Sequence, residues 1–223
     1  MEPINRYLDH AVLKPEMTLE QVKEAIQVGI DYQVRTVCVH PGDIPLALEM
    51  CEGTATQVIC VLDFPHGRGG KETKKALAAL YAKMGVAEID MVMNYGLARG
   101  GHWDLLKEEI ESVVQEAHRH NVPVKVILET SELSREQIIG SVQACIAAGA
   151  DFAKSSTGFS SGGSTPEILK TMLEAADGKI KIKPSGGIRN KQTALDYIQA
   201  GAARLGVGFA STPLICDNPM LTK

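Results

Sequence analysis

Aromatic residues make up only 4% of the chain, and no basic run interrupts a formal net charge of −4. No apolar stretch approaches the length of about 20 residues that crosses a bilayer. Each scarcity removes a class of function. Without a cluster of Lys and Arg there is nothing to hold a phosphate backbone, so a nucleic-acid partner is not expected. Met1-Glu2-Pro3-Ile4-Asn5-Arg6-Tyr7 lacks the charged and then apolar pattern of a secretory leader, so no membrane partner and a cytoplasmic location are expected. The five cysteines (Cys38, Cys51, Cys60, Cys145, Cys216) show no CxxC spacing and read as free thiols. The six histidines form no HExxH pattern, and His118 and His120 diverge on a helix; no metal or other cofactor is expected.

What is present is alternation. Short β-branched runs near residues 7–12, 36–39, 57–62, 88–93, 122–128, 151–154, 179–183 and 204–207 read as strands. Between them, helical periodicity marks residues 18–28, 44–51, 71–84, 103–120, 134–147, 166–176 and 191–200. No Pro/Gly/Ser-rich linker divides the 223 residues, which are read as one domain, 1–223. Gly85, Gly149 and Gly201 stand at three helix-to-strand joints, each suited to the left-handed residue that ends a helix. The pattern predicts an α/β fold, a compact (β/α)₈ TIM barrel, with an open doubly wound sheet as the alternative.

Side-chain parity locates charge. Val124, Val126 and Leu128 alternate with Lys125, Ile127 and Glu129; Ile89 and Met91 alternate with Glu88 and Asp90; Ile180 and Ile182 alternate with Lys181 and Lys183. In a barrel covered by helices the apolar faces point outward, so the charged faces enter the lumen. Charges buried there must pair, and perturbed groups of this kind mark catalytic sites as well as structural ones.

Lys154, Lys183 and Asp90 fall near the carboxyl ends of predicted strands, where barrel enzymes place their active sites. A lysine made neutral by burial and by a neighbouring ammonium condenses with a carbonyl to form a Schiff base. Lys154 is the candidate nucleophile, Lys183 its partner, and Asp90 the acid–base group. Thr157 and Gly158 after one strand, and Gly186 and Gly187 after the next, expose backbone amides suited to an anion. Cys38 reads as a small core residue, with a modifiable thiol as the alternative. The Phe64–Gly70 turn is a candidate gate.

Ordered through the chain, Leu8-Asp9-His10, Leu13-Lys14-Pro15, Val37-Cys38-Val39, Phe64-Pro65-His66-Gly67, Glu88 to Asn94, Lys125 to Thr130, the Lys154 segment and Lys183 to Arg189 resemble the deoxyribose-phosphate aldolase family. The resemblance implies a lyase that reversibly cleaves 2-deoxyribose 5-phosphate to glyceraldehyde 3-phosphate and acetaldehyde, without metal. By motif position it implies Lys154 as the Schiff-base lysine, Asp90 as proton donor and acceptor, and Lys183 as the second catalytic lysine. Asp9 is implied to support the polar network, and Thr157, Gly158, Gly186, Gly187, Gly206 and Gly208 to hold substrate or phosphate. The partners implied are a small sugar phosphate and an aldehyde, in a homo-oligomer with a dimer favoured. Two positions depart from the family pattern: Gly208-Phe209 stand where small hydroxyl residues are usual, and Ala11 stands for threonine. The alternatives are an aldolase of the same mechanism for another or an unphosphorylated aldehyde, and a non-catalytic sugar-phosphate-binding barrel, whose binding survives Lys154→Met.

Overall fold

The protein is described by a computed structural model for residues 2–217. The closing segment Asp217–Lys223, whose role the sequence leaves open, lies outside the described residues from 218 onward. Eight strands alternate with helices: β1 (Leu8–Val12), β2 (Thr36–Val39), β3 (Gln57–Leu62), β4 (Glu88–Val92), β5 (Val124–Ile127), β6 (Phe152–Lys154), β7 (Lys181–Lys183) and β8 (Leu205–Gly208). The helices are α1 (Leu19–Asp31), α2 (Ile44–Cys51), α3 (Lys71–Lys83), α4 (Tyr95–Arg99), α5 (Trp103–His118), α6 (Arg135–Ala147), α7 (Pro166–Ala176), α8 (Lys191–Ala200) and α9 (Thr212–Ile215).

Local chemistry explains these bounds. Thr18 and Ser134 each cap a helix in a reciprocal box with the Gln three residues on, satisfying amides that the first turn leaves orphaned. Thr165 and Asn190 cap α7 and α8, and Pro166 occupies the first position of α7, where a missing N–H does no harm. Gly85, Gly149 and Gly201 have φ of 95°, 75° and 114°, as expected of their helix ends. The eighth helical unit, absent from the predicted elements, is the single turn α9, too short for periodicity to reveal; α4 escapes for the same reason.

Neighbouring strands pair in parallel in the order β7-β6-β5-β4-β3-β2-β1-β8. The Ser185–Gly206 bridge, with the Gly206 N–H donating to the Pro184 carbonyl and the Ala203 N–H to Ile182, brings β7 to β8 and nearly closes the barrel. Outward-facing Ile89, Met91, Val124, Val126, Leu128 and Ile182 join the main core with the helices, as parity predicts. Among the described residues no helix is long and apolar enough to cross a membrane, and the five cysteines are buried and unbridged.

The lumen divides into two sectors. On the side of β1 to β3 it is packed by Leu13, Cys38, Ile59 and Val61, with Ala11 and Phe64 against them. On the side of β4 to β8, joined by Asp9 of β1, it holds the buried charges.

Candidate active site in the barrel lumen

Register explains how the charged sector is assembled. Val61, Asp90, Lys125, Phe152 and Lys181 are successive partners across β3 to β7, and Ile127, Lys154 and Lys183 form the next row. Because the strands are staggered, each row descends toward the amino-terminal rim as it crosses the barrel. Lys154 and Lys183 therefore lie one level above Lys125. Lys181 has the inward parity expected of it, but its height differs: it is exposed at the lower rim, with its Nζ 5.2 Å from the centre of the Phe152 ring.

Asp90 is the hub. One of its oxygens, Oδ2, accepts hydrogen bonds from Lys154 Nζ at 2.8 Å and Lys183 Nζ at 2.6 Å, while Oδ1 accepts from Lys125 Nζ at 2.9 Å. Lys183 also pairs with Asp9 at 2.5 Å, and Lys125 pairs with Glu88 and, at 3.5 Å, with Asp9. Arg204 spans Asp9 at 2.7 Å and Glu88 at 3.0 Å, and the Thr36 hydroxyl donates to Asp9 at 2.7 Å. Three carboxylates thus face four bases in a cluster from which water is largely excluded. That imbalance favours the loss of one proton from the lysines, since an uncompensated buried charge is costly.

The lysines respond differently. Burial pulls Lys183 down and Asp9 and Asp90 only partly offset it, so its pKa lies below the ordinary 10.5. Burial also opposes the Lys154 charge most strongly of any single influence, but the charge of Asp90, Cys38 and the hydrogen bond to Asp90 together hold that ammonium above the ordinary value. Lys125 is likewise held up, against burial, by Asp9, Asp90 and Glu88. Asp9 and Asp90 resist the upward pull of burial because Lys125 leads a set of cations that keep both well below 3.8. The two lysines that share Asp90 Oδ2 are thus pulled in opposite directions, Lys183 by burial and Lys154 by Asp90.

Above the cluster opens a cavity of about 500 Å³ at the carboxyl ends of the strands. Lys154 and Lys183 line it, and so do Asp9, Thr157, Gly158, Gly186, Gly187, Gly206 and Gly208, the residues singled out in the sequence. Asp90 does not line it. It is wholly buried and meets the cavity only through the two lysines. Gly206 is dictated by crowding, since a Cβ there would lie 2.3 Å from Ser185 Oγ and 3.3 Å from Lys183 Cε. Gly186 and Gly187 have φ of 83° and 82°, and their amides make no backbone hydrogen bond among the described residues. Successive amides in such turns make anion-binding concavities.

Other residues are used differently from their reading in sequence. Glu129, expected on the inner face of a strand, follows the end of β5 in a left-handed conformation (φ 56°). Its carboxylate accepts the Thr157 hydroxyl at 2.5 Å instead of joining the lysine cluster, and burial raises its pKa. Thr157 Oγ1 also accepts from the Phe159 amide at 3.0 Å, so this hydroxyl braces the loop after Lys154. Cys38 lines the cavity, yet burial raises its thiol to about 12, which suits the core reading. The Phe64–Gly70 turn is tied from below by Lys74, whose Nζ donates to the Gly67 and Val92 carbonyls, each at 2.9 Å. Arg204 was passed over in the sequence, although Arg204, Gly206 and Gly208 share one parity. Among the described residues no group of three or more His, Cys, Asp or Glu side chains is placed to hold a metal ion.

Comparisons with known proteins bear on this geometry. A family model described as DeoC/LacD family aldolase matches residues 4–212. The deoxyribose-phosphate aldolase of Clostridium tetani (strain Massachusetts / E88) is 41% identical over 203 residues, which are 91% of this chain and 94% of that protein. Among solved structures, the fold is similar to QR15, an aldolase, with a TM-score of 0.89 and 34% identity over 96% of this chain and 95% of that one. It is also similar to the tetrameric deoxyribose phosphate aldolase of Aeropyrum pernix, with a TM-score of 0.87 and 26% identity over 95% and 88% of the two chains.

Proposed function

This chain belongs to the DeoC/LacD family of aldolases and is a lyase, and we propose that, as one barrel domain, it cleaves 2-deoxyribose 5-phosphate through a Schiff base on Lys154. The observation that carries the reading is the pair of lysine Nζ atoms on a single oxygen of Asp90, at 2.8 and 2.6 Å, beneath the cavity floor.

Lys154 must lose a proton to attack, and Lys183 is the base within reach of it through Asp90 Oδ2. Proton transfer along Lys154–Asp90–Lys183 leaves a neutral amine on Lys154 and an ammonium on Lys183, at no change in the cluster's total charge. The amine adds to the open-chain aldehyde carbon, and loss of water yields the iminium. A base removes the proton of the C3 hydroxyl, the C2–C3 bond breaks, and its electron pair flows into the iminium. Glyceraldehyde 3-phosphate departs and an enamine stays on Lys154. The Asp90–Lys183 pair accepts and returns the protons, the enamine carbon is protonated, and water releases acetaldehyde and the free lysine.

The phosphate is assigned to the Gly186–Gly187 turn and the amides beside Gly158 and Gly208, which line the cavity together with the lysines. Asp9 holds Lys183 and Arg204 in register. Assembly as a homo-oligomer, a dimer first, is our reading, supported by the oligomeric relative from Aeropyrum pernix; sedimentation equilibrium tests it. The test of the chemistry is borohydride reduction during incubation with 2-deoxyribose 5-phosphate, followed by peptide mass mapping. An N-ethyl group on Lys154, lost in Lys154→Met, is the expected result. An unmodified Lys154 in folded protein overturns the assignment.

A further inference from the structure

We propose that Phe209 is a specificity-determining residue: its ring ends the acceptor side of the active cavity and restricts the enzyme to short aldehydes, walling off a second cavity along α1. The proposal rests on the aldolase reading above and adds the size class of the acceptor.

Phe209 leaves the end of β8 in the 3₁₀ turn Phe209–Ser211 and lines two cavities at once. One is the cavity over Lys154. The other, of about 380 Å³, is lined by Met17 and by Gln21, Glu24, Ala25 and Val28 of α1. Lys14 and Glu16 are the other residues common to both, and Lys14 Nζ stands 5.8 Å from the centre of the Phe209 ring. The partition is thus one aromatic ring with a cation above it, a favourable contact that holds the flexible lysine in place.

The wall is anchored. Three residues beyond Phe209, the Thr212 hydroxyl meets His10 Nδ1 at 2.8 Å, and His10 Nε2 meets the Ala25 carbonyl at 2.8 Å. Because a carbonyl only accepts, Nε2 carries the proton and Nδ1 accepts from Thr212. All three groups are buried, so β1, α1 and the turn bearing Phe209 are joined by satisfied hydrogen bonds that water does not contest. A ring carried on a backbone anchored in this way limits the length of an acceptor, as a wall does and a mobile lid does not.

In the synthetic direction, the enamine carbon on Lys154 bonds to the carbonyl carbon of an acceptor aldehyde, the acceptor oxygen takes a proton, and water releases the product. Methylenes that remain within the first cavity add affinity; those that meet the ring add none. If the wall is removed, further methylenes enter the α1 cavity, where burial strengthens binding about fourfold for each.

The experiment measures kcat/KM with acetaldehyde as donor and the unbranched aldehydes from propanal to octanal as acceptors, in the native enzyme, Phe209→Ala and Phe209→Leu. The native profile is expected to level off early. The Phe209→Ala profile continues to climb by about fourfold per carbon, and Phe209→Leu lies between and carries the test if the alanine variant does not fold. Superimposable native and variant profiles overturn the proposal. Binding of the matching n-alkanols, followed by saturation-transfer NMR, repeats the comparison without a Schiff base. A longer alkanol cut-off in the variants supports the wall even if borohydride traps nothing on Lys154, whereas trapping with unchanged cut-offs supports the chemistry and removes the wall.

Discussion

The two sectors of the lumen share one barrel and opposite chemistry. Around β2 and β3, the inward side chains of Cys38, Ile59 and Val61 are apolar and buried to 1% exposure or less. Around β4 to β7, the same parity delivers Asp90, Lys125, Lys154 and Lys183, buried almost as completely. The apolar sector gains by excluding water. In the charged sector the same exclusion strengthens every pairing and makes an excess base intolerable. The difference shows how burial can shift protonation selectively: four bases over three carboxylates turn a structural ion cluster into a proton reservoir, with Lys183 as its weakest holder.

The most severe break in this contrast is Lys154→Met, which makes the cavity floor apolar. Turnover is expected to fall on the order of 10⁶-fold, the scale on which deletion of a covalent nucleophile acts, in steady-state assays of aldehyde release. Asp90→Asn comes next. It removes the shared acceptor of three lysines, so kcat is expected to drop about 10²- to 10⁴-fold and urea unfolding to show a loss of about 3–5 kcal/mol.

A third test sharpens the contrast through pH. Lys183 lies below 10.5, so kcat/KM is expected to rise as the pH passes its folded value, before 10.5 is reached. In Lys183→Met the residual limb moves upward, because Lys154 remains held above the ordinary value by Asp90. Stability obeys the opposite rule for the carboxylates. Asp9 and Asp90 are depressed, so their contribution is complete above their ordinary 3.8 and is lost only as pH falls toward their lower folded values. Thermal unfolding should therefore show a plateau that persists down to the ordinary aspartate range and gives way only below it.

The smallest effect belongs to the apolar sector. Ile59→Val deletes one methylene from a fully buried site away from the cavity lining, and a loss of about 0.5–1.5 kcal/mol is expected in denaturant titration. kcat should stay within about twofold, since a volume change of that size leaves the rotamers around it in place.

Parity in β4, β5 and β7 was legible in the sequence because alternation is a local property. Height along the barrel axis was not. Lys181 and Lys183 have the same parity, and only the stagger of β6 against β7 leaves one at the solvent-exposed rim and raises the other to the active site. Glu129 escaped for a related reason: β5 stops at Ile127, and the left-handed turn that follows sends its carboxylate to Thr157. Which lysine holds its proton was also beyond the sequence, since it depends on distances to Asp9 and Asp90 that arise from five separate strands. The family resemblance was legible in ordered motifs, whereas the partition formed by Phe209 required the position of α1.

The most direct measurement is the NMR titration of ¹³Cε-lysine-labelled enzyme, with the Lys154 and Lys183 signals identified by their absence in the two methionine variants. The account predicts that Lys183 titrates below 10.5, while Lys154 keeps its proton beyond that value. A Lys154 signal that titrates first, with Lys183 charged throughout, would contradict it.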